Sequence, residues 1–328
     1  MKLALYSLRP FDEQLYCAAA AEKYGIEYVY TSKPINEDNL GLAEGCQAAS
    51  ISPTDVRPEY IERLAEMGVR YLVCRSIGYD HIPLEPVKRL GMRLSHGSYP
   101  PDAVANYAIM LMMMTLRKMP QIIKRAEVQD YTLPGKMGRD ISTCTVGVIG
   151  TGRIGQTVIR NLHAFGCRIL AYDVYQTDKI KGMAEYVSLD ELLARSDVVT
   201  LHVNATEENR HLINAGTIAK MKPGAIVINT ARGTLIDHDA LIDALGSGRL
   251  GGAGLDVLEN ENDVYMGNRA GQVLTNRWLS ILRSFPNVIM TPHTAFYTEV
   301  SVEHMIGSAF QAAADFAAGR ENPLEVKL

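Results

Sequence analysis

Residues 145–173 read TVGVIGTGRIGQTVIRNLHAFGCRILAYD, and this stretch decides the fold of the chain. A valine-rich apolar run comes first, followed by the glycine pattern G-x-G-x-x-G, a helix-like segment, a second apolar run and an aspartate. Glycines in this spacing recur in many turns, so the pattern alone is weak. Its position between a strand and a helix, with an acidic residue closing the next strand, is typical of a βαβ unit that binds a dinucleotide.

Each residue of the pattern has a physical task in such a unit. Gly150 permits the tight turn, Gly152 lets the backbone approach a pyrophosphate, and Gly155 allows close helix packing. The helix N-terminus attracts phosphate, and Arg153 is expected to add a contact. Asp173 is expected to accept hydrogen bonds from the ribose and to repel the extra phosphate of NADP, which predicts NAD as the cofactor. The alternative is a glycine-rich turn followed by an ordinary surface aspartate.

Composition narrows the class of protein. A chain of 328 residues with 47% hydrophobic composition can bury a sizeable core and suggests two domains. No run of about 18 apolar residues occurs, and the N-terminus turns polar too early for a secretory signal, so we expect a cytoplasmic protein without membrane contact. The net charge of −4 argues against nucleic-acid binding. Five scattered cysteines without a CxxC pair indicate reduced thiols and argue against a disulfide framework or a metal site.

Apolar runs alternate with helix-like stretches along the chain, which predicts the α/β class with doubly wound parallel sheets. The strand-like runs of the first hundred residues include 3–6, 28–30 and 71–74. After two prolines the pattern changes to a long helix-like run over 102–118, which Asp102 is positioned to cap. We place the first domain crossover at these prolines.

Six further strand-like runs suit a complete dinucleotide-binding fold. They span 145–149, 168–172, 198–202, 225–229, 254–257 and 288–290. A last helix-like segment at 302–318 has no strand to follow it and could return to the first domain. We therefore predict one domain from residues 1–100 and 299–328, and a second from residues 101–298.

Four methionines cluster in the helix-like run, at Met110, Met112, Met113 and Met114. Such a cluster could suggest a metal or cofactor site, but methionine fills irregular packing gaps far more often. We interpret the cluster as core packing or as a contact between subunits.

Three ionisable residues follow apolar strands in the second half of the chain: Arg232, Glu261 and His293. Ligands of an open parallel sheet bind beyond the carboxyl ends of its strands, so these side chains could converge beside a nicotinamide. Hydride transfer to a 2-keto acid needs a cation for the substrate carboxylate and a proton donor for the developing alkoxide. A carboxylate beside the histidine would orient its ring. Taken singly, each residue is better explained by an ordinary structural role: Arg232 as a surface ion pair, Glu261 as a solvated acid and His293 as a hydrogen-bonded histidine.

Several motifs together resemble the D-isomer-specific 2-hydroxyacid dehydrogenase family. They are GTGRIG at 150–155, INTARG at 228–233, GGAGLDV at 251–257, TPHTAFYT at 291–298, RSIGYDHI at 75–82 and YPPDAVANYA at 99–108. The resemblance implies a Rossmann NAD-binding domain inserted into a flavodoxin-like substrate domain. It also implies that Arg232 binds substrate, that Glu261 pairs with the histidine, and that His293 is the general acid/base. Glu259 is the alternative partner, and a glutamate at this position argues against formate as substrate.

The family pattern implies further contacts with the cofactor. They involve Ile154, Val203, Asn204, Thr230, Ala231 and Asp256. Asp256 resembles the position near the nicotinamide, although it could equally cap a turn.

Within the family, the TPHTAFYT block resembles D-lactate dehydrogenases of the fermentative and vancomycin-resistance types. Phe296 would then pack on a short substrate side chain, with Tyr99 as a second pocket residue. Backbone amides of Ile77, Gly78 and Tyr79 would hold the substrate carboxylate. Core packing explains either aromatic residue equally well.

These resemblances predict NADH-dependent reduction of a small 2-keto acid, pyruvate first, to the D-2-hydroxy acid. A larger branched, aromatic or acidic 2-keto acid is the second candidate, and an NADH-sensing corepressor is a candidate from another class. The resemblance also implies a homodimer to which the helix at 102–118 contributes, although its apolar face could be internal.

Overall fold

The computed structural model describes residues 1–54, 56–265 and 267–328, which form two compact units. The first unit contains Met1–Pro100 and Tyr297–Leu328, and the second contains Pro101–Phe296. The second crossing lies between residues 296 and 297, slightly before the position suggested by the sequence. Among the described residues, no helix combines the length and the apolar character needed to cross a membrane.

A five-stranded parallel sheet with the order β2-β1-β3-β4-β5 forms the centre of the first unit. Its elements within the first hundred residues are β1 (Lys2–Leu5), α1 (Gln14–Tyr24), β2 (Glu27–Tyr30), β3 (Ala48–Ile51), α2 (Pro58–Glu66), β4 (Tyr71–Cys74), α3 (Leu84–Arg89) and β5 (Arg93–Ser95). Strand β3 was not predicted because alanine is a weak strand former. It forms because it lies between two partners, with Ala49 paired to Ala4 and to Leu72.

Seven parallel strands in the order β12-β11-β10-β9-β6-β7-β8 form the sheet of the second unit. The elements are α4 (Asp102–Leu116), α5 (Met119–Glu127), β6 (Thr145–Ile149), α6 (Arg153–Ala164), β7 (Arg168–Tyr172), β8 (Glu185–Tyr186), α7 (Leu189–Arg195), β9 (Val198–Leu201), α8 (Ala215–Lys220), β10 (Ala225–Asn229), α9 (His238–Gly246), β11 (Leu250–Leu255), α10 (Arg277–Leu282) and β12 (Val288–Met290). The strand order reverses where β6 lies between β7 and β9. This reversal is the switch point at which doubly wound sheets bind ligands.

The two parallel sheets confirm the predicted fold class, and three local features of the second unit differ from the sequence prediction. Asp102 does not cap α4: Pro101 already has helical dihedral angles, so the aspartate lies in the first turn. There its charge still favours the helix N-terminus. Strand β11 starts at Leu250, earlier than predicted, because its glycines lowered the expected strand propensity. The two-residue strand β8 is too short for a sequence signal.

Helix α11 (Glu299–Ala317) ends the fold and belongs to the first unit. It packs against α1 and β4. Phe316 stacks on Tyr71 with ring centroids 4.6 Å apart, and Phe310 meets Tyr28 edge-on at 5.6 Å. These aromatic pairs fasten the end of the chain to the sheet of the first unit.

Candidate active site

The carboxyl ends of the central strands in the second unit lie at one level. The register of the parallel strands shows this, because the last residues of neighbouring strands are paired. The pairs are Tyr172 with Ile149, Ile149 with Leu201, Leu201 with Asn229, Asn229 with Leu255, and Leu255 with Met290. The residues that follow these positions therefore line one edge of the sheet. Most of the predicted cofactor and catalytic residues lie in these loops.

Steric crowding explains two glycines of the turn after β6. Gly150 has a φ of 97°, and a Cβ there would lie 2.7 Å from the backbone of His202. A Cβ on Gly155 would lie 1.9 Å from the Gly150 carbonyl oxygen, so the first turn of α6 packs directly on the glycine turn. At Gly152 a Cβ would meet no described atom within 4 Å, so the protein's own packing does not require glycine there. This is the pattern expected where a ligand occupies the space, and it fits a bound dinucleotide.

The remaining predicted cofactor residues follow the strands of the same sheet edge or begin α6. Arg153 is exposed at the start of α6, and Ile154 is half-buried behind it. Val203 and Asn204 follow β9. Thr230 and Ala231 follow β10, and the buried Thr230 Oγ1 has no hydrogen-bond partner among the described residues. A buried hydroxyl without a partner is costly, so its position after β10, at the same edge of the sheet as the glycine turn, also fits a bound polar ligand.

Asp173 follows β7 and faces the glycine turn. Its carboxylate accepts hydrogen bonds from the Thr151 N–H at 2.5 Å and from the Tyr175 N–H at 2.9 Å. The acidic residue that the sequence predicts to bind ribose is therefore anchored to the same turn as the three glycines.

The structure brings His293 and Glu261 together: Nδ1 of the imidazole is hydrogen-bonded to Oε1 of the carboxylate. The second oxygen, Oε2, accepts the Leu258 N–H at 2.7 Å. Both side chains are partly buried, with 23% of the histidine and 18% of the glutamate exposed. His293 has a φ of 53°, a left-handed conformation uncommon outside glycine and asparagine.

Asp256 explains how this backbone conformation is held. The side chain is fully buried, and its carboxylate accepts hydrogen bonds from Thr291 Oγ1, Thr294 N and Ala295 N, at 2.6, 2.9 and 2.8 Å. The Asp256 carbonyl oxygen accepts the His293 N–H at 2.8 Å. These contacts are those of a turn cap, and the predicted contact of Asp256 with the cofactor stays a prediction.

Glu259 has different partners and does not contact His293 through any described hydrogen bond. Its carboxylate accepts from Arg210 at 2.5 Å and pairs with His211 Nε2 at 3.0 Å. Burial opposes ionisation of Glu259, but the hydrogen bonds from His211 and Arg210 outweigh burial and lower its pKa. Of the two candidate acids, only Glu261 is placed to orient the histidine.

Arg232 lies in the loop after β10, and this loop rests on the one that carries Glu261. A Cβ on Gly233 would lie 2.1 Å from the Leu258 carbonyl carbon, so only glycine allows the two backbones to touch. Asn229 braces the same loop, because its side chain donates to the Arg232 carbonyl oxygen at 2.8 Å and accepts the Ala231 N–H at 3.0 Å. The arginine and the His293–Glu261 pair are thus carried by loops in direct contact.

Two groups of predicted substrate residues lie in different units. Phe296 ends the second unit and meets the His293 ring edge-on, with centroids 6.3 Å apart. Ile77, Gly78 and Tyr79 follow β4 in the first unit. Tyr99 also belongs to the first unit, next to Pro100 where its N-terminal part ends, and is half-buried. Tyr79 stacks on His96 with centroids 6.1 Å apart, so part of its ring serves packing within the first unit.

Sequence reasoning missed a buried ion pair beneath the 76–79 loop. Arg75 and Glu13 are both fully buried, with Arg75 Nε 3.3 Å from Glu13 Oε1. Arg75 also donates to Ser50 Oγ at 2.9 Å and to the Tyr6 carbonyl oxygen at 2.6 Å. An arginine directly after the apolar run YLVC was the available signal, because a charge at the end of a buried strand needs partners.

A family profile described as "D-isomer specific 2-hydroxyacid dehydrogenase, NAD binding domain" matches residues 109–295. The chain belongs to the D-isomer-specific 2-hydroxyacid dehydrogenase family. This membership confirms the resemblance derived from the motifs, the enzyme class and NAD as the cofactor.

Relatives cover most or all of the chain. It is 47% identical to a D-specific alpha-keto acid dehydrogenase of Enterococcus faecalis, over 82% of each protein. It is 36% identical to a D-lactate dehydrogenase of Lactiplantibacillus plantarum, over 100% of this chain and 99% of that protein. The solved structure of a D-2-hydroxyisocaproate dehydrogenase is similar with a TM-score of 0.90, at 35% identity and 99% coverage of both chains.

No group of three or more histidine, cysteine, aspartate or glutamate side chains within the described ranges is arranged to hold a metal ion. All five cysteines are buried and free. Burial raises the pKa of Cys17 and Cys167 to about 11, which keeps these thiols protonated at neutral pH.

Proposed function

We propose that this dehydrogenase reduces pyruvate to D-lactate, with His293 as proton donor and Arg232 as the group that binds the substrate carboxylate. Bound NADH supplies the hydride. The observation that carries the proposal is the His293–Glu261 pair at the sheet edge, on a loop in contact with the loop of Arg232.

The proton step follows from the polarity of this pair. An ionised carboxylate can only accept hydrogen bonds, so Nδ1 of His293 carries the hydrogen that faces Glu261. The proton for the developing alkoxide then comes from Nε2, the ring nitrogen that does not face Glu261. Arg232 holds the substrate carboxylate and polarises the neighbouring carbonyl, because its guanidinium matches a carboxylate in geometry and charge.

Phe296 supports a short substrate side chain. Its ring stands at 82° to the imidazole of His293, so an aromatic wall lies beside the proposed proton donor. The second candidate is a branched 2-keto acid, favoured by the similarity to the D-2-hydroxyisocaproate dehydrogenase structure.

Initial rates with pyruvate, 2-ketoisocaproate and phenylpyruvate at saturating NADH test the proposal. We expect the highest kcat/KM for pyruvate, and chiral analysis should find the D-hydroxy acid. Phe296→Ala should raise kcat/KM for 2-ketoisocaproate relative to pyruvate by about tenfold, the effect of a few methylene groups in an apolar pocket. A higher wild-type kcat/KM for the branched acid would favour the second candidate. Absence of NADH oxidation with every acid would contradict the proposed activity.

We also propose that the enzyme is a homodimer formed through the α4–α5 face of the second unit. Met110 and Met113 of α4 are 39% and 38% exposed, beside Phe165 at 42%. Helix α5 buries none of its residues. The following segment exposes further large apolar side chains, namely Val128, Tyr131, Leu133 and Met137. An accumulation of large exposed apolar side chains in successive segments is typical of a subunit contact.

Light scattering of the purified protein at several concentrations tests the dimer. Met113→Glu should shift the molar mass measured by light scattering towards that of the monomer, because the substitution places a charge in the proposed contact. The control is Val273→Glu, at a position that is 91% exposed elsewhere in the second unit. A monomeric wild-type protein, or a dimer insensitive to Met113→Glu, would contradict this interface.

A further inference from the structure

Thr151 and Tyr186 form a hydrogen-bonded chain that ends on Asp173. Thr151 is the residue between the first two glycines of the turn, and it is 3% exposed. Its Oγ1 lies 3.1 Å from Asp173 Oδ2 and 2.8 Å from the Tyr186 hydroxyl. The tyrosine hydroxyl in turn accepts the Thr177 N–H at 3.1 Å. None of these contacts belongs to the glycine pattern itself.

The direction of the chain follows from the chemistry of its groups. A carboxylate only accepts, so the Thr151 hydroxyl donates its hydrogen to Asp173. Its oxygen is then free to accept from the Tyr186 hydroxyl, whose own oxygen is already an acceptor for Thr177 N–H. Every hydrogen therefore points towards the carboxylate, and such chains strengthen each successive bond.

This arrangement treats the two oxygens of Asp173 differently. Oδ2 accepts two hydrogen bonds, from the N–H and from the hydroxyl of Thr151. Oδ1 accepts one, from the Tyr175 N–H. A carboxylate oxygen has about two acceptor positions, so Oδ1 keeps the capacity to accept from a ribose hydroxyl. The chain thus sets which oxygen faces the ribose.

Tyr186 is placed to hold the Thr151 hydroxyl from the edge of the sheet. It lies in β8, the edge strand of the sheet, where it pairs with Ala171 of β7 two residues before Asp173. The hydroxyl therefore connects the edge strand, the glycine turn and the 173–177 loop at one point. Loss of the hydroxyl groups would leave the carboxylate held through backbone N–H groups alone.

We propose that Thr151 and Tyr186 are positioning residues that set the preference for NAD over NADP by fixing the Asp173 carboxylate. The proposal rests on the predicted contact of Asp173 with the ribose. Discrimination against a 2′-phosphate requires the negative charge to stay where the phosphate would lie, because a carboxylate free to rotate can move away from it.

The test compares Thr151→Val, Thr151→Ser and Tyr186→Phe. Calorimetry measures the Kd of NADH and NADPH, and initial rates give kcat and KM for each. Thr151→Val should lower the NADH/NADPH ratio of kcat/KM by about tenfold, and Tyr186→Phe by about threefold, since one charge-assisted and one neutral hydrogen bond are lost. The change should appear in Kd and KM, with kcat at saturating NADH unchanged. Thr151→Ser keeps the hydroxyl and should retain the wild-type ratio.

Thr115→Val is the matched control. Thr115 is a buried threonine of α4 in the same unit, and its hydroxyl donates to the Leu111 carbonyl oxygen at 2.7 Å. Its substitution should leave the NADH/NADPH ratio unchanged. An equal loss of discrimination in Thr115→Val would show a general packing effect and overturn the proposal. If Thr151→Val fails to fold, the NADH/NADPH ratio of Tyr186→Phe, measured in the same way, tests the positioning role.

Asp173→Ser distinguishes two possible errors. One is a wrong positioning role for Thr151 and Tyr186, and the other is a wrong prediction that Asp173 contacts the ribose. If Asp173→Ser loses the preference for NADH while Thr151→Val and Tyr186→Phe retain it, the positioning role is wrong and the role of Asp173 stands. If Asp173→Ser retains the preference, the predicted ribose contact is wrong and the positioning role falls with it. Loss of discrimination in all three variants, with rescue in Thr151→Ser, supports the proposal.

Discussion

Replacing Glu261 by glutamine tests the proton step of the proposed mechanism. The change removes one negative charge and keeps the side-chain shape. The glutamate holds two donors, His293 Nδ1–H on Oε1 and the Leu258 N–H on Oε2. A glutamine has only one carbonyl oxygen, so Glu261→Gln can satisfy one of these donors and turns an NH₂ group towards the other.

The expected loss of kcat/KM in Glu261→Gln follows from how exposed the His293–Glu261 pair is. The side chains are 23% and 18% exposed, between a surface pair and a buried one. Two unit charges about 4 Å apart attract by about 4 kcal/mol at an effective dielectric constant of about 20. Solvent screening and desolvation reduce this to the range of a charge-assisted hydrogen bond, about 1.5–3 kcal/mol. At 1.4 kcal/mol per factor of ten, kcat/KM for keto-acid reduction should fall by about 10- to 100-fold.

The assay is the initial rate of NADH oxidation with the preferred keto acid, together with a direct measurement of the Kd of NADH. Glu259→Gln is the matched control, because it makes the same chemical change two residues away, where the partners are Arg210 and His211. We expect Glu261→Gln to lower kcat/KM with little effect on NADH affinity. The control should stay within about threefold of wild type, because Glu259 is bonded to Arg210 and His211 and makes no described hydrogen bond to His293. Equal losses in both variants would refute the reasoning.

Three further predictions concern the scaffold of the two units. Gly155→Ala should abolish NADH binding, measured by calorimetry, because the new Cβ would lie 1.9 Å from the Gly150 carbonyl oxygen; retained affinity would contradict this packing. Arg75→Met should lower the free energy of unfolding in urea by about 3 kcal/mol, since it removes the buried one of the two cations beside the Glu13 carboxylate and leaves only the partly exposed Arg9, and Arg75→Met combined with Glu13→Leu should recover part of the loss. The pKa of Glu259 is lowered in the folded protein, so its stabilising effect is present above the unfolded value of 4.5 and is lost as the pH falls through the folded value. Urea titrations from pH 7 down to about pH 2, which crosses the unfolded pKa and the lower folded pKa, should therefore show a smaller loss of stability for Glu259→Gln than for wild type.

Strand prediction succeeded where the local signal was strong. Strands β6, β7, β10 and β12 have the bounds expected from their apolar runs. These strands are buried on both faces, so a continuous apolar run is the direct physical consequence of their position. Strand β8 gave no such signal, because two residues at a sheet edge depend on the pairing of Ala171 with Tyr186.

In the candidate active site, too, some residues could be identified from the sequence, whereas the contacts of others depend on the tertiary structure. Motif spacing identified the glycine turn, Asp173 and the histidine, because each chemical task restricts the residue type. The family resemblance favoured Glu261 as the partner of His293 and left Glu259 as the alternative. The choice depends on loop geometry: Leu258 N–H anchors Glu261 beside the imidazole, while Arg210 and His211 hold Glu259 elsewhere.

The amino-acid sequence by itself determined the α/β class, the dinucleotide-binding turn and the family, since these depend on local patterns of apolar residues and glycines. Only the tertiary structure decided which hydrogen bonds hold the predicted Glu261 beside His293, that Asp256 caps the loop of His293, and that Thr151 and Tyr186 contact Asp173. The physical reason is range. A turn or strand is specified by neighbours in sequence, whereas a hydrogen bond between loops depends on strand order and register, which arise when the sheet assembles.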